Sequence, residues 1–411
     1  MWGIIIGSML VVAILGGIFL WTRFGKFGIV QMIAGDSKWK RRLLALIPFL
    51  IFGIFAIFSV VNVVIVMVHM AVYWALAELI YRIVHRIRHG KKVKTETGET
   101  ADDSKSETKA KSAQTKKQED QKTSDKKTSD KKLLGKKSFR PYWVGIIVLC
   151  FELCYFTTGW FLAHHVWEKD YTVTTTKDLG MEKLRIAQIA DSHVGVTFDG
   201  EGFAKHLETI EATNPDVLFI TGDFVDDDTS KEDMYRCCLA LAGFKCKYGV
   251  YYVYGNHDKG YFRYRNFTAD ELREALEAAG VRILQDEVEM IADKIYVVGR
   301  RDKSVKDRIE IGTILSLLDP KKFTIVLDHQ PNDYAAEAAA GADLVLSGHT
   351  HGGQMLEINF VGQMIGANDK TYGMEKRDNT TFIVTSGISD WAIKFKTGTN
   401  SEFVIVDVVH E

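Results

Sequence analysis

The chain has 411 residues, of which 46% are hydrophobic, and its formal net charge at pH 7 is −1. A chain of this size and charge balance can bury a large core and has room for two or three domains. Its five cysteines, two in an apolar segment and three elsewhere, exclude a framework of several disulfides and allow at most one bridge.

Residues 1–21 carry no charged side chain and have a tryptophan near each end. A helix of about 20 apolar residues crosses the ~30 Å hydrocarbon core of a membrane, and tryptophan favours its two interfaces. A secretory signal is the alternative, but such signals need basic residues before the apolar core, and none precede this one. We therefore predict a first transmembrane helix at 1–21.

Residues 43–77 form an uncharged run of 35 residues. As one helix it would be roughly 50 Å long, which exceeds the thickness of one bilayer. Two helices, at about 43–60 and 62–84, are the favoured interpretation, and one continuous span is the alternative. A fourth span is predicted at 141–163, where Glu152 is costly in lipid and should face another helix or a polar partner.

The segment 90–140 is rich in Lys, Ser, Thr, Asp and Glu and contains the tandem KTSDKKTSDKK. It has almost no apolar side chain to bury, so we predict a disordered linker near anionic lipid headgroups. No aromatic residues alternate with its charges, so a nucleic-acid partner is not expected. Basic residues gather in cytoplasmic loops, and this linker and the basic loop after 1–21 share one face of a four-span layout. We therefore predict a multi-pass protein of the cell membrane with its C-terminal domain outside the cytoplasm.

From residue 170 to residue 411, short apolar runs alternate with helix-like segments, a pattern typical of an α/β domain. Five of the apolar runs end in side chains that are able to bind a metal. In chain order these runs are LRIAQIAD, DVLFITGD, GVYYVYGNHD, FTIVLDH and DLVLSGH. Ligands of open sheets bind beyond the carboxyl ends of the strands, so these side chains are expected to converge.

The candidate metal ligands are carboxylates, imidazoles and one amide: Asp191, His193, Asp223, Asn256, His329, His349 and His351. A single strand-end aspartate is more often a helix cap than a ligand, but five such motifs in order favour a metal site. Carboxylate together with imidazole suits manganese, iron or zinc. Two such ions need one anionic ligand between them, and together they clamp a phosphate and lower the pKa of a shared water.

The series DxH, GD, GNHD, H and GHTH, from Asp191 to His351, resembles the motifs of the calcineurin-like metallophosphoesterases. The segment GHTHGGQ is similar to their bacterial membrane-associated branch, the YkuE-like and YaeI-like enzymes. The resemblance covers roughly 184–409 and does not extend to the apolar N-terminal segments. It implies a four-layer α/β fold, in which two β-sheets pack face to face with helices outside and the site lies on strand-end loops.

The resemblance also implies a role for each residue. Asp191, His193 and His351 would hold one divalent ion. Asn256, His329 and His349 would hold a second, and Asp223 would bridge the two. A metal-bound hydroxide would be the nucleophile, with manganese as the favoured ion and iron or zinc as alternatives. His257 would protonate the leaving oxygen in partnership with Asp226, and the adjacent Asp227 and Asp228 are alternative partners.

The sequence thus predicts hydrolysis of phosphomonoesters or phosphodiesters at a membrane, with a lipid headgroup or a cell-envelope compound as substrate. The alternative is a metal-binding scaffold or sensor without turnover. Such proteins tolerate loss of the catalytic histidine, whereas His257 is present here. The aromatic and basic segment 261–265 and Trp391 are candidates for a rim that contacts substrate, and a surface loop that packs its aromatic rings inward is the alternative.

Overall fold

The computed structural model describes residues 2–57, 59–96, 141–259 and 265–411. Most of the predicted linker at 90–140, and positions 261–264 of the predicted rim, lie outside these residues. The chain divides into two compact units, Met1–Glu152 and Leu153–Glu411. The helices that begin in the first unit are α1 (Trp2–Phe24), α2 (Gly28–Ala34), α3 (Lys38–Leu44), α4 (Ile47–Ala56), α5 (Val60–Glu96) and α6 (Trp143–His164).

The apolar helices of the first unit match the predicted spans to different degrees. In the part of the chain that the structure describes, Val60–Arg88 of α5 and all of α6 are long and apolar enough to cross a membrane. Helices α1 and α2 form a bent pair that would make a third crossing. Helix α4 has ten residues and so covers about half of the hydrocarbon thickness. It ends before α5 begins, so the run 43–77 is not one continuous helix, and the crossing at 43–60 stays a prediction.

Glu152, which was predicted to face a polar partner, contacts His69. Glu152 Oε2 lies 2.9 Å from Nδ1 of His69, and both side chains are buried. An ionisable group in an apolar helix is costly unless it is paired inside the helix bundle. The prediction for Glu152 is therefore confirmed, and the pair joins α5 to the first part of α6.

The second unit, which also contains the last part of α6, is an α/β domain. Its strands are β1 (Val166–Thr175), β2 (Lys183–Ile189), β3 (Val217–Thr221), β4 (Val250–Val253), β5 (Arg282–Ile283), β6 (Glu287–Ile291), β7 (Ile295–Gly299), β8 (Phe323–Leu327), β9 (Leu344–Ser347), β10 (Gly373–Arg377), β11 (Thr380–Val384) and β12 (Ser401–His410). Its helices are α7 (Gly200–Glu211), α8 (Lys231–Gly243), α9 (Ala269–Ala278), α10 (Ile311–Leu315), α11 (Tyr334–Ala340) and α12 (Val361–Met364). All five predicted strands are present, as β2, β3, β4, β8 and β9.

The strands form two six-stranded mixed sheets. One has the order β1-β12-β2-β3-β4-β5 and the other has the order β10-β11-β9-β8-β7-β6. Strands β2, β3 and β4 run parallel in the first sheet, and β7, β8, β9 and β11 run parallel in the second. Parallel strands joined by helices are usually buried on both faces, which explains their nearly continuous apolar sequences.

Side chains that alternate along each strand fill different layers of the domain. In β3, Val217 and Phe219 belong to the core between the two sheets, whereas Leu218 and Ile220 belong to a second core that includes α7, α8 and α9. A third core joins the outer face of the other sheet to α10 and α11. The order helix, sheet, sheet, helix is the predicted four-layer arrangement, an α/β fold with two mixed sheets.

The first strand extends the domain beyond its predicted start at residue 170. Strand β1 begins at Val166 and pairs in parallel with β12 along ten residues. It follows helix α6, which ends at His164, after a single residue. The α/β domain and the last part of α6 are therefore joined by one residue, His165.

Candidate metal centre

The carboxyl ends of five strands, three in one sheet and two in the other, carry the predicted ligands. Asp191, Asp223, His329 and His349 each lie two residues beyond a strand end, and Asn256 lies three beyond β4. The backbone turns sharply at most of these positions: Asp191, His193, Asp223, His349 and His351 all have positive φ, between 34° and 71°. Such angles are costly for residues other than glycine and cluster at functional sites.

The first group of ligand atoms belongs to Asp191, His193 and His351, whose donor atoms lie within 4.8 Å of one another. All three side chains are buried. Asp191 is fixed by the main-chain N–H of His349, which donates to both carboxylate oxygens at 3.0 and 2.9 Å. The GHTH turn therefore positions the carboxylate of the first strand end as well as its own two imidazoles.

The second group belongs to Asp223, His329 and His349, again with donor atoms within 4.8 Å of one another. Asp223 lies between the two groups. Its Oδ2 is 3.1 Å from Nε2 of His329 and 3.6 Å from Nε2 of His193. Its Oδ1 accepts a hydrogen bond of 2.8 Å from the main-chain N–H of His257, which leaves Oδ2 directed at the imidazoles.

Polar contacts of Nδ1 orient two of the imidazoles. Nδ1 of His329 donates to the carbonyl oxygen of Thr221 at 2.8 Å, so Nε2 is the nitrogen that is available to bind a metal. Nδ1 of His193 lies 3.3 Å from Oδ2 of Asp226. In both rings Nε2 is directed towards Asp223.

The side chains fit divalent metal ions. His193 Nε2, His329 Nε2 and Asn256 Oδ1 are buried atoms that make no hydrogen bond among the described residues. Burial of unpaired polar atoms is costly, and coordination of a cation removes that cost. The donor set of imidazole nitrogens, carboxylate oxygens and an amide oxygen suits manganese, iron or zinc rather than calcium or magnesium. Oδ2 of Asp223 is near an imidazole nitrogen of each group.

The pKa values of the candidate ligands shift in opposite directions. Burial lowers the pKa of His329, but Asp223 outweighs burial and brings it well above the ordinary value. Burial raises the pKa of Asp191 to about 6; His329 opposes this rise and Asp223 adds to it. Burial lowers the pKa of His349 to about 4, and it holds the pKa of His351 well below the ordinary value. These two imidazoles are therefore neutral at pH 7, the form in which histidine binds metals.

The predicted acid, His257, lies beside this centre with its predicted partner. Its Nδ1 is 3.2 Å from Oδ1 of Asp226. Burial raises the pKa of Asp226, but hydrogen bonds with His193 and His257 outweigh burial and bring the pKa well below the ordinary value. The carboxylate is thus ionised at neutral pH and contacts both a candidate ligand and the candidate acid.

Asp258 holds two of the loops together. Its two carboxylate oxygens accept hydrogen bonds from the main-chain N–H groups of Asp223, Phe224, Val225 and Gly255, at 2.6 to 3.2 Å. Arg265 contributes from outside by donating to the carbonyl oxygen of Asp258 at 2.8 Å. Asp258 and Arg265 therefore both stabilise the turn that carries Asn256 and His257.

Trp391 and a buried ion pair complete the surroundings of the site. The ring of Trp391, which is 40% exposed, lies 5.2 Å from that of His257. Asp390 and Lys396 are both buried, and they lie 3.2 Å apart. Oδ1 of Asp390 is 3.9 Å from Nδ1 of His351, behind that ligand. Sequence reasoning missed this pair, because a lysine in the run SDWAIKF is usually a solvated side chain.

Comparisons with known proteins agree with the motifs. A family model described as calcineurin-like phosphoesterase matches residues 184–353. An uncharacterized metallophosphoesterase of Aquifex aeolicus is 32% identical over 198 residues, covering 46% of this chain and 71% of that protein. The uncharacterized metallophosphoesterase YkuE of Bacillus subtilis is 26% identical over 216 residues, covering 51% of this chain and 73% of that protein.

A third similar protein comes from cattle, where it is described as a transmembrane protein with a metallophosphoesterase domain. It is 27% identical over 241 residues, which cover 54% of this chain and 52% of that protein.

Proposed function

The chain belongs to the calcineurin-like phosphoesterase family, in its YkuE-like branch, and on that premise we propose that it is a membrane-anchored hydrolase with two metal ions. Membership makes the protein a metal-dependent phosphoesterase that uses divalent ions. The number of ions, their ligands, the membrane topology and the class of phosphoester are our proposals.

The proposed ligands divide into two sets joined by one carboxylate. Asp191, His193 and His351 would hold one ion. Asn256, His329 and His349 would hold the other, and Asp223 would contact both. The observation that carries this proposal is the position of Asp223 Oδ2, within 3.6 Å of an imidazole nitrogen from each set. Manganese is the proposed ion, because the ligands mix imidazoles with hard oxygens.

When bound, two such ions polarise the phosphoryl oxygens and supply a nucleophilic water at neutral pH. The protein itself would position the metal ligands and transfer a proton to the leaving group. His257 would donate a proton to the leaving oxygen, and the ionised Asp226 would hold its ring in position. Trp391, which lies beside His257 and is partly exposed, would form part of the entrance.

The membrane assignment rests on apolar helices and on charge. Two helices, with a bent pair as a third, are long and apolar enough to cross a bilayer. We propose four crossings with both basic segments in the cytoplasm, which leaves the catalytic domain on the outer side. The domain follows α6 after one residue, so lipid or cell-envelope phosphoesters would be the nearest substrates.

Turnover by the full-length protein in detergent tests the enzyme proposal. We expect release of product from aryl phosphodiesters or phosphomonoesters when manganese is present, and loss of that activity in excess chelator. A panel of nucleotides, lipid headgroups and envelope phosphodiesters would then rank the substrates. Metal binding without turnover of any of these compounds would contradict the proposal and favour a scaffold.

A further inference from the structure

A segment that follows the metal-binding turn is unusually apolar on its surface. We call residues 355–366 the apolar loop. Among the described residues of 166–411, twelve large hydrophobic side chains are exposed, and five of these lie in the apolar loop: Leu356, Ile358, Phe360, Met364 and Ile365. Single exposed apolar residues are ordinary, whereas a concentration of this kind indicates a binding surface.

The apolar loop has a defined structure and a fixed place beside the site. Its main chain forms the short helix α12, and the N–H of Leu356 donates to Oγ1 of Thr397 at 3.1 Å. Asn359 packs so closely on Gly353 that a side chain at Gly353 would collide with it. Gly353 is two residues beyond the candidate ligand His351, so the position of the loop is tied to that of the metal centre.

The apolar loop and the neighbouring residues 395–397 both contact helix α6 within the second unit. The hydroxyl of Tyr155 donates to Oε2 of Glu357 at 2.6 Å. The rings of Phe156 and Phe395 are 5.0 Å apart, and the N–H of Lys396 donates to the carbonyl oxygen of Gly159 at 3.0 Å. These contacts join both the apolar loop and residues 395–397 to helix α6.

The positions of these contacts along α6 determine the depth of the loop. Tyr155 lies nine residues before the end of the helix at His164, about 13 Å at 1.5 Å per residue. The helix has 22 residues, and about 20 are needed to cross the hydrocarbon core, so little of it can project from a bilayer. A loop that contacts Tyr155 therefore lies below the level of the helix end, at the depth of one leaflet.

The exposed surface of α6 continues that of the loop. In the second unit the helix exposes Leu153, Trp160 and Phe161, each by more than half. A tryptophan one turn from a helix end is typical of the interface between hydrocarbon and headgroups. Lipid that covers the exposed side of α6 would therefore also cover the apolar loop.

We propose that the apolar loop inserts into the leaflet that contains the C-terminal end of α6. The metal centre then faces the bilayer surface and acts on amphiphiles that carry a phosphoester headgroup, whose hydrocarbon tails remain in the membrane. The substrate class rests on the proposed phosphoesterase function, whereas insertion of the loop does not. The two statements are therefore tested separately.

Insertion is tested with a fluorescent bimane attached at a single cysteine of the full-length protein in phosphatidylcholine–phosphatidylglycerol vesicles. The label is placed by Met364→Cys in a background with Cys150, Cys154 and Cys246 changed to alanine, since Cys237 and Cys238 are buried. The control is Leu239→Cys on α8, because Leu239 is 75% exposed and Met364 is 69% exposed. We expect a lipid-attached nitroxide to quench the label at 364 several-fold more than the label at 239.

Equal quenching at the two positions would overturn insertion. A label at 364 that reports an apolar environment but is not quenched by the nitroxide lipid would also overturn it, because the loop would then be covered by protein.

The substrate class is tested with the double variant Met364→Glu/Ile365→Glu and the control Leu239→Glu. Turnover is measured on a soluble aryl phosphodiester and on an amphiphilic phosphodiester held in vesicles. Two charges replace two inserted apolar side chains, so the ratio of vesicle to soluble turnover should fall by at least ~10-fold in the double variant and stay unchanged in the control.

An unchanged ratio in the double variant would contradict the assigned substrate class. Absence of turnover on both substrates by the wild-type protein would instead refute the proposed function, and the quenching result would still decide whether the loop inserts.

Discussion

At the scale of single residues, the proposed mechanism gives the metal ligands and the acid separate roles. His257 is near the candidate ligands: its ring contacts Asp226, and its main-chain N–H donates to Asp223. A group placed in this way can move a proton without holding an ion. Loss of its ring should therefore affect the leaving group more than the metal content.

The variant His257→Ala tests this division. We expect it to retain the wild-type metal content and to lose ~10²-fold or more in kcat with an alkyl phosphodiester, whose leaving oxygen needs a proton. With a nitrophenyl ester the loss should be much smaller, because nitrophenolate leaves without protonation. The two substrates serve as controls for each other, and an equal loss with both would show that His257 is not the acid.

At the scale of elements, strand ends were predictable and long-range pairings were not. Apolar runs that stop at a candidate metal ligand identify β2, β3, β4, β8 and β9, because buried parallel strands need no alternation of apolar and polar residues. Because each motif follows one of these strands, the candidate ligands are expected to meet beyond the carboxyl ends of the strands. Strand β1 gave no such signal, since its sequence VWEKDYTVTT alternates at an edge of the sheet and its partner β12 lies more than 200 residues away.

The start of α4, the burial of Lys396 and the exposure of the apolar loop depend on local position or on tertiary contacts, which amino-acid composition does not predict. Pro48 lies in the first turn of α4, where the missing N–H costs nothing, so it marks the start of a short helix in an apolar run. The burial of Lys396 follows from acceptors on three separate residues: Ser386, Ser389 and Ser401. The exposure of the apolar loop is likewise a property of the folded domain.

The turn between β4 and His257 offers a test at this scale. A Cβ built at Gly255 would lie 2.7 Å from Cγ of Asp223 and closer still to other atoms of that residue. We therefore expect Gly255→Ala to displace the carboxylate, with loss of bound metal and of most phosphoesterase activity. Elemental analysis and turnover of the purified protein provide the measurement.

Gly312 in α10 is the matched control, because a Cβ there meets nothing within 4 Å. Gly312→Ala should keep metal and activity and raise the free energy of unfolding by about 0.5–1 kcal/mol, as expected for glycine to alanine in a helix. Full metal content in Gly255→Ala would show that the close approach of this turn does not position Asp223.

At the scale of the whole molecule, the proposed topology makes a prediction about access. Protease added to intact spheroplasts should cleave the domain after residue 170 and spare the segment around Lys122. The reason is that both basic segments are assigned to the cytoplasmic face. Immunodetection of tags placed in the two regions gives the measurement, with detergent-lysed cells as the control in which both regions are cut. Cleavage of the Lys122 segment with protection of the domain would reverse the orientation and make intracellular phosphoesters the nearer substrates.

The central claim is that one carboxylate, Asp223, joins two metal ions into a phosphoesterase centre. Titration of the metal-free full-length protein with manganese, followed by electron paramagnetic resonance and by phosphodiester turnover on the same samples, tests it most directly. We expect activity to rise with the second equivalent, together with the spectrum of a spin-coupled manganese pair, and we expect Asp223→Asn to lose both. Activity that saturates at one equivalent, with only the six-line spectrum of isolated manganese, would contradict it.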